Sequence, residues 1–324
     1  MSKHNIVCAG IDTGKRKLDV AIEASTETLQ VDNTGDGRLA LSAWLGEHGV
    51  ERVGIEASGG YEQETVAHLR REGLVVIVFQ PAQVRAYAQF LLQRAKNDKI
   101  DAKLIAACTA AAKKIHAPPD PRLAGFAEQL TLIEQITDDI ARFKHRFETC
   151  RAARIREFWK AEITRCNKLL KAELKALASD IRQHHDLAER LELILSVDGV
   201  GLRTAVAILV RMPEIGRLTR EQAASLVGLA PFDDDSGAHE GIRHVEGGRE
   251  RLRKSIYTAA FPAAMHWSPE LMAFYRRLTA AGKPHKVALV ACARKLIIFV
   301  NAVVARGRPW VSKTRPAAAL GVAV

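Results

Sequence analysis

Four acidic residues lie where predicted elements begin or end, and their spacing could build a metal site. Asp12 and Glu56 each close an apolar run of the kind that predicts a buried strand. Asp98 and Asp101 open a predicted helix over 98–115, and a three-residue step puts both on one helix face. Carboxylates held together repel one another unless a cation lies between them, and oxygen-only ligand sets suit Mg²⁺ or Mn²⁺. The four acids therefore predict a divalent-metal site, and paired metals about 4 Å apart organise phosphoryl transfer.

The predicted elements support this placement of the acids. Three strands come first, and later strands alternate with helices, as parallel crossovers require. The predicted strands are 5–12, 17–24, 27–33, 52–57 and 74–80, and the predicted helices are 37–48, 61–72, 82–92 and 98–115. This order, with acids at two strand ends and at the start of a late helix, is typical of an RNase H-like α/β fold. For any single acid, a helix cap or a solvated surface charge is the competing interpretation.

Length and composition limit the classes of protein to which this chain can belong. A chain of 324 residues is long enough for two domains of about 100–200 residues each. The sequence shows no signal peptide and no uninterrupted apolar stretch of 18 or more residues, so we expect a cytoplasmic protein with no membrane partner. The five cysteines are scattered and form no C-x-x-C pair, which favours neither a disulfide framework nor a zinc site.

The positive charge is confined to the later part of the chain. Residues 1–120 hold 15 Lys or Arg and 15 Asp or Glu, whereas residues 121–324 hold 33 and 22 and so carry the whole net charge of +11. Residues 191–324 alone contribute +8. A neutral catalytic part followed by a cationic part is the division expected of a protein that grips a polyanion. A merely soluble basic surface is the alternative.

Breaks in composition predict four segments. A proline-containing stretch ends a first domain, 1–117. Apolar residues then recur at helical spacing over 122–190 without a proline, which predicts a long helical hairpin or coiled-coil arm. The heptads are imperfect, so an intramolecular pair and a dimer contact both fit. We expect 191–310 to form a mainly helical domain and 311–324 a basic tail.

A glycine-bounded turn in the third segment is a candidate phosphate site. Gly199 and Gly201 join two predicted helices, with Arg203 just beyond, and the arrangement is typical of a helix-hairpin-helix. Glycines allow a sharp turn and expose amide groups at a helix N-terminus, where phosphate binds without base contacts. A tight turn used only for packing is the alternative.

The polar loop over 233–254 could carry a nucleophile. Ser236 precedes a glycine in this loop, and a serine nucleophile needs exposure, freedom to approach phosphorus in line, and cations for the developing charge. By residue type alone, Ser236 is more often an ordinary turn residue. The cations near it, which we predict to bind nucleic acid, are Arg243, Arg249, Arg251, Arg253 and Lys254.

These segments together resemble a known family. The chain resembles the DEDD-type transposases of the insertion-sequence-110 class, bacterial mobile-element recombinases, over essentially its full length. The motifs that carry the resemblance are Gly10-Ile-Asp12, Ile55-Glu-Ala-Ser-Gly-Gly-Tyr61, Lys96-Asn-Asp-Lys-Ile-Asp-Ala102, Val197-Asp-Gly-Val-Gly201, Leu226-Val-Gly-Leu-Ala-Pro231, Asp235-Ser-Gly237 and Gly247-Gly-Arg249.

The resemblance implies a RuvC-like domain in which Asp12, Glu56, Asp98 and Asp101 hold the metal. It also implies a transposase domain in which Ser236 is the nucleophile that links to DNA. Members of the class recombine DNA under the direction of a structured RNA from their own element, so DNA and a guide RNA are the implied partners. The acids and Ser236 lie about 135 residues apart, and we expect them to meet between protomers of a dimer or tetramer.

Three other classes fit part of the pattern. A metal-only nuclease or junction resolvase needs the acids and the basic region but not Ser236. An actin-like sugar kinase would explain Asp12-Thr-Gly14, but not the cationic C-terminal part. A non-catalytic DNA- or RNA-binding protein would need only the cations.

Overall fold

The computed structural model describes residues 6–92, 98–113, 115, 120–232 and 244–312, with 98–100, 232 and 244 described through their backbone alone. The chain divides into two compact units, Met1–Pro118 and Pro119–Val324. The expectation of a mixed α/β part followed by a helical part is confirmed. Residues 1–5, 93–97, 114, 116–119, 233–243 and 313–324 lie outside the described residues. Of the predicted sites, Ser236 and Arg243 fall there, as do all but the first two residues of the predicted tail.

A five-stranded mixed sheet organises the first unit. Its strands are β1 (Cys8–Thr13), β2 (Lys17–Ile22), β3 (Thr28–Asp32), β4 (Arg52–Glu56) and β5 (Val75–Phe79). Their spatial order is β3-β2-β1-β4-β5. The strands β1, β2 and β3 are joined by short turns and pair antiparallel, whereas β4 and β5 arrive through helical crossovers and pair parallel. Each strand overlaps a strand predicted from the sequence.

Helices cover both faces of this sheet. They are α1 (Gly35–Glu47), α2 (Gln63–Arg71), α3 (Pro81–Phe90) and α4 (Asp98–Ala111). Buried leucines of α1 and α2, among them Leu45 and Leu69, pack with Ile11 and Ile55 in one apolar core. The neighbours Gly10 and Gly54 point the other way, because side chains alternate along a strand, and there they meet α4. Thus α4 lies across β1, β2 and β4 on the face opposite α1 and α2.

The second unit is built from helices. They are α5 (Arg122–Thr149), α6 (Ala153–Arg182), α7 (His185–Leu195), α8 (Leu202–Arg211), α9 (Arg220–Val227), α10 (Glu250–Pro262), α11 (Pro269–Ala280) and α12 (His285–Arg306), with a π-helical turn at Ala263–Trp267. A short two-stranded ribbon, β6 (Pro231–Phe232) and β7 (His244–Val245), flanks the polar loop.

Helix α12 passes through the middle of the main core of the second unit. Leu289, Cys292, Leu296 and Val300 lie in that core at 0–2% exposure. Among the described helices, α12 is also the one long and apolar enough to cross a membrane, and half of its apolar window is buried inside the protein. The apolar character of α12 is therefore accounted for by core packing.

Helices α5 and α6 form a long intramolecular hairpin. Leu130 and Leu177 join the main core, whereas Ile136 and Cys166 belong to a separate small cluster further out. Phe143 packs against that cluster, and Trp159 stacks on Phe143 at 5.3 Å between ring centroids. The distal half of the hairpin is thus held by contacts between its own two helices, which is the intramolecular alternative left open by the heptad pattern.

Candidate functional site

Asp12 and Glu56 occupy equivalent positions on neighbouring parallel strands. In the register of β1 and β4, Ile11 is the partner of Ile55, and each acid is the next residue along its strand. Both side chains therefore belong to the face that bears Gly10, because residues two apart share a face. Both acids are half-buried and both make interactions within the protein. The two carboxylates were predicted independently at strand ends, and the sheet register places their backbones side by side.

Helix α4 approaches this face unusually closely, because two glycines leave room for it. A Cβ built on Gly10 would lie 2.2 Å from the Ala106 nitrogen and 2.3 Å from the Ala102 oxygen. The backbone of α4 therefore rests directly on β1. Asp101, the residue before Ala102, is half-buried and lies in the part of α4 nearest to that strand. The helix backbone is described at position 98, one turn before Ala102, but the side chain of Asp98 lies outside the described residues.

A fifth acid, Asp19, lies beside Asp12 and was missed in the sequence. It is the cross-strand partner of Asp12 in the β1–β2 register, so the two side chains share a face. Asp19 is 4% exposed. Gln30 donates its Nε2–H to Asp19 Oδ1 at 2.5 Å, and Lys17 Nζ lies 3.1 Å from Asp19 Oδ2. A buried carboxylate beside Asp12 extends the acidic face onto β2, and the cross-strand register, not a sequence motif, reveals it.

The chemistry of these donors suits a hard divalent cation. Asp12, Glu56 and Asp101 offer carboxylate oxygens from two strands and one helix, a donor set typical of Mg²⁺ or Mn²⁺. Within the described ranges, no three His, Cys, Asp or Glu side chains lie close enough together to hold a metal ion. The carboxylates of Asp12, Glu56 and Asp101 therefore do not form a closed set of metal ligands. The side chain of the predicted fourth ligand, Asp98, lies outside the described residues.

The Gly199–Gly201 turn joins α7 to α8 as predicted, and the packing around the turn requires a glycine at one of these two positions. Gly199 has a φ of +90°, and a Cβ there would lie 2.3 Å from the Ala263 Cβ. Gly201 is the N-cap of α8 and provides no side-chain cap. A Cβ built on Gly201 would have no other atom within 4 Å. The turn borders a cavity of about 640 Å³ that Arg203 and Trp267 also line. Gly199 is thus required by packing, and Gly201 leaves the α8 amides approachable.

The predicted nucleic-acid-binding cations of α10 already have partners in the second unit. Arg249 makes a bidentate ion pair with Glu214 at 2.6 and 2.8 Å. Arg251 lies 3.0 Å from Glu134 of α5, and Lys254 lies 2.5 Å from Asp138 of the same helix. Arg253 donates to the Gly247 carbonyl. These cations tie α10 to its neighbours, so a phosphate that bound them would replace a carboxylate.

Comparisons with known proteins match both halves of the chain. A DEDD transposase model of the IS110 family matches residues 9–150, and the Transposase IS116/IS110/IS902 family model matches residues 191–276. The first match contains Asp12, Glu56, Asp98 and Asp101, and the second contains Gly199 through the α10 cations.

Curated relatives agree with these family models. The chain is 24% identical over 311 residues to a pilin gene-inverting protein of Moraxella bovis, which covers 93% of this chain and 96% of the relative. The corresponding protein of Moraxella lacunata is 23% identical over the same shares. An insertion element IS110 protein of Streptomyces coelicolor is 32% identical over 148 residues, or 45% of this chain and 35% of the relative. The chain belongs to the IS110 class of transposases and is a DNA recombinase.

Proposed function

We propose that this enzyme cuts and rejoins DNA strands with a divalent metal, Mg²⁺ or Mn²⁺, and a covalent link between Ser236 and DNA. The observation that carries the proposal is the meeting of Asp12 and Glu56 on neighbouring strands beneath α4. The strand order β3-β2-β1-β4-β5, antiparallel on one side of β1 and parallel on the other, supports an RNase H-like domain. Acids at the carboxyl ends of central strands fit that assignment.

The residues that would hold the metal are Asp12, Glu56, Asp98 and Asp101. When bound there, a divalent cation would polarise the scissile phosphate and offset its negative charge. The carboxylates would fix the position of that cation and balance its charge, and the phosphate would reach the site through the cation. Asp19 is paired with Lys17, so its charge is already balanced and it would not compete for the metal.

Ser236 would act as the nucleophile. Its Oγ attacks phosphorus and loses its proton, the P–O bond to the neighbouring nucleotide breaks, and that oxygen leaves as a hydroxyl. The hydroxyl of a partner strand then attacks the phosphoserine and restores Ser236. One ester replaces another at each step, so no ATP is consumed. Relatives that bear the name pilin gene-inverting protein support this chemistry, because an inversion needs every broken strand to be rejoined.

Nucleic acid would be gripped by the second unit. The proposed phosphate contacts are Gly199, Gly201, Arg203, Arg243, Arg249, Arg251, Arg253 and Lys254. The net charge of +8 over 191–324 supports a polyanionic partner. We propose further that a structured RNA from the element selects the DNA, that the enzyme works in the cytoplasm, and that acids and Ser236 meet between protomers of a homo-oligomer, a dimer or a tetramer.

A nicked DNA substrate tests the covalent step. A nick just beyond the cleavage point lets the short fragment diffuse away, so the link accumulates, and peptide mass spectrometry should find a nucleotide on Ser236. Ser236→Ala should give no link, Ser236→Cys should keep a trace because a thiolate is nucleophilic, and the matched control Ser225→Ala should behave as wild type. Cleavage by Ser236→Ala that leaves free ends would instead establish a metal-only nuclease.

A further inference from the structure

The second unit carries two kinds of cationic surface, which differ in whether their charges are neutralised. The α10 cations Arg249, Arg251 and Lys254 pair with carboxylates at 2.5–3.0 Å. Residues 269–312, by contrast, contain eight Lys or Arg and a single acid, Glu270. None of these eight cations makes an ion pair with a described residue, so an excess of seven positive charges over 44 residues keeps its field.

The excess is concentrated where α11 turns into α12. Arg276, Lys283 and Lys286 are exposed there, and none of them makes an ion pair with the described residues. The Lys283 amide donates to the Leu278 carbonyl at 3.1 Å, which closes the turn and brings the last turn of α11 and the first turn of α12 together. We call Phe261, Tyr275, Arg276, Lys283, His285 and Lys286 the α11–α12 tip.

Helix stability does not account for the cation at the start of α12. The first turn of α12 contains no acid, and Lys286 lies there at the positive end of the helix dipole, an arrangement that disfavours a cation. No carboxylate among the described residues makes an ion pair with Lys286. A ligand with negative charge would remove this repulsion, so the arrangement fits an anionic partner better than it fits a free surface.

Aromatic rings lie beside these cations. The Tyr275 hydroxyl and His285 Nδ1 are 2.6 Å apart, which fixes the imidazole. Phe261 lies nearly perpendicular to the same imidazole, at 6.4 Å between ring centroids, and is 49% exposed. Phe261 thus packs on His285, the residue before the unpaired Lys286. A half-exposed ring and cations in one region form the combination by which proteins bind unpaired nucleic-acid strands, with stacking on bases and charge on phosphates.

We propose that the α11–α12 tip binds an unpaired nucleic-acid strand, with phosphates on Lys283 and Lys286 and a base against Phe261. The proposal rests on the proposed function, in which the second unit grips nucleic acid, and it adds a surface that sequence spacing did not reveal. Single-stranded DNA and single-stranded RNA share this chemistry. A strand displaced during exchange and an unpaired segment of the guide are the two sources.

Binding of the full-length protein to three 30-nucleotide probes tests the tip: single-stranded DNA, duplex DNA and single-stranded RNA, titrated over a range of salt. The variants are Lys283→Ala/Lys286→Ala and Phe261→Ala. The matched control is Arg142→Ala/Arg165→Ala, which removes the same charge from cations that pair with acids of their own helices. Thermal melting should show that each variant is folded.

The tip double variant should lose about 1.4 from the log–log salt slope on single strands, since each phosphate contact contributes about 0.7. That loss corresponds to about 25-fold weaker binding at 0.1 M salt. Phe261→Ala should weaken single-strand binding about fivefold or more and leave duplex binding unchanged. The single-stranded probe with the larger loss identifies the source.

Wild-type slopes and affinities in the folded tip double variant would overturn the proposal. If the tip double variant lost affinity equally for duplex and single-stranded probes, and Phe261→Ala changed the affinity for neither, the assignment to unpaired strands would be overturned. Failure of the wild-type protein to bind any probe would instead count against the proposed function, so the two failures are distinguishable.

Discussion

Gly10→Ala should reveal how far the acidic site depends on close contact between β1 and α4. The new Cβ would lie 2.2 Å from the Ala106 nitrogen and 2.3 Å from the Ala102 oxygen. Ordinary contact begins near 3.4 Å, so the helix must withdraw by about 1.2 Å or the strand must distort by that amount. Both opposing atoms are backbone, and neither can rotate away. Overpacking of this kind costs about 1–3 kcal/mol of unfolding free energy.

The same displacement should reach the site, because Asp101 precedes Ala102 on the helix that moves. A misplacement of about 1 Å can cost roughly 100-fold in rate, so strand cleavage by Gly10→Ala should fall by about that factor. Unfolding by denaturant gives the stability, and cleavage measured well below the melting temperature gives the rate for folded protein.

A second glycine provides the control for this substitution. Gly46 lies exposed in α1, where a Cβ would meet nothing within 4 Å. Gly46→Ala should therefore leave the free energy of unfolding unchanged or raise it by about 0.5–1 kcal/mol, and it should leave the rate of strand cleavage unchanged. A Gly10→Ala protein with the stability and cleavage rate of wild type would refute the close approach of α4 and the positional argument for Asp101.

Three further predictions concern the charges and thiols of the second unit. Arg122 lowers the pKa of Asp186 to about 2 through hydrogen bonds. The pair therefore contributes stability above pH about 4, and this stability is lost as the pH falls through about 2. Asp186→Asn should have a smaller free energy of unfolding than wild type above pH about 4, and denaturant unfolding at lower pH should show that this difference disappears. Burial raises the pKa of the Cys292 thiol to about 11, so iodoacetamide at pH 8 should label it only in unfolded protein, as mass spectrometry would show. Glu134→Ala should free Arg251 and steepen the salt dependence of nucleic-acid binding by roughly 0.7–0.9 for each phosphate gained; an unchanged slope would show that the ion pair does not compete with phosphate.

The sheet and the strand-end acids could be predicted because their signals are local. Asp12 and Glu56 each end an apolar run, and the antiparallel opening followed by crossovers limits how such runs can pair. Asp19 could not be singled out, because an acid in a strand that starts with a lysine is usually on a solvated face. Only the cross-strand register, which places it opposite Asp12, shows that it belongs to the acidic surface.

The cationic surfaces were harder to predict because pairing is not local. The partner of Arg251 is 117 residues away in the sequence, and that of Lys254 is 116 residues away. The prediction from clustering in the sequence therefore named cations that form ion pairs in the fold, and it did not include the cations of the α11–α12 tip. The proposed nucleophile, Ser236, stays a prediction because it lies outside the described residues.

The α5–α6 hairpin has a consequence for how such enzymes can diversify. With 28 and 30 residues, its helices are about 42–45 Å long, and the half of α5 that follows Asp138 packs on α6 through Ile140 and Phe143. Loss or gain of seven residues in each helix would keep their facing sides in register and would change the reach of the hairpin by about 10 Å. Related elements could therefore lengthen or shorten this segment in paired steps while the main core stays the same.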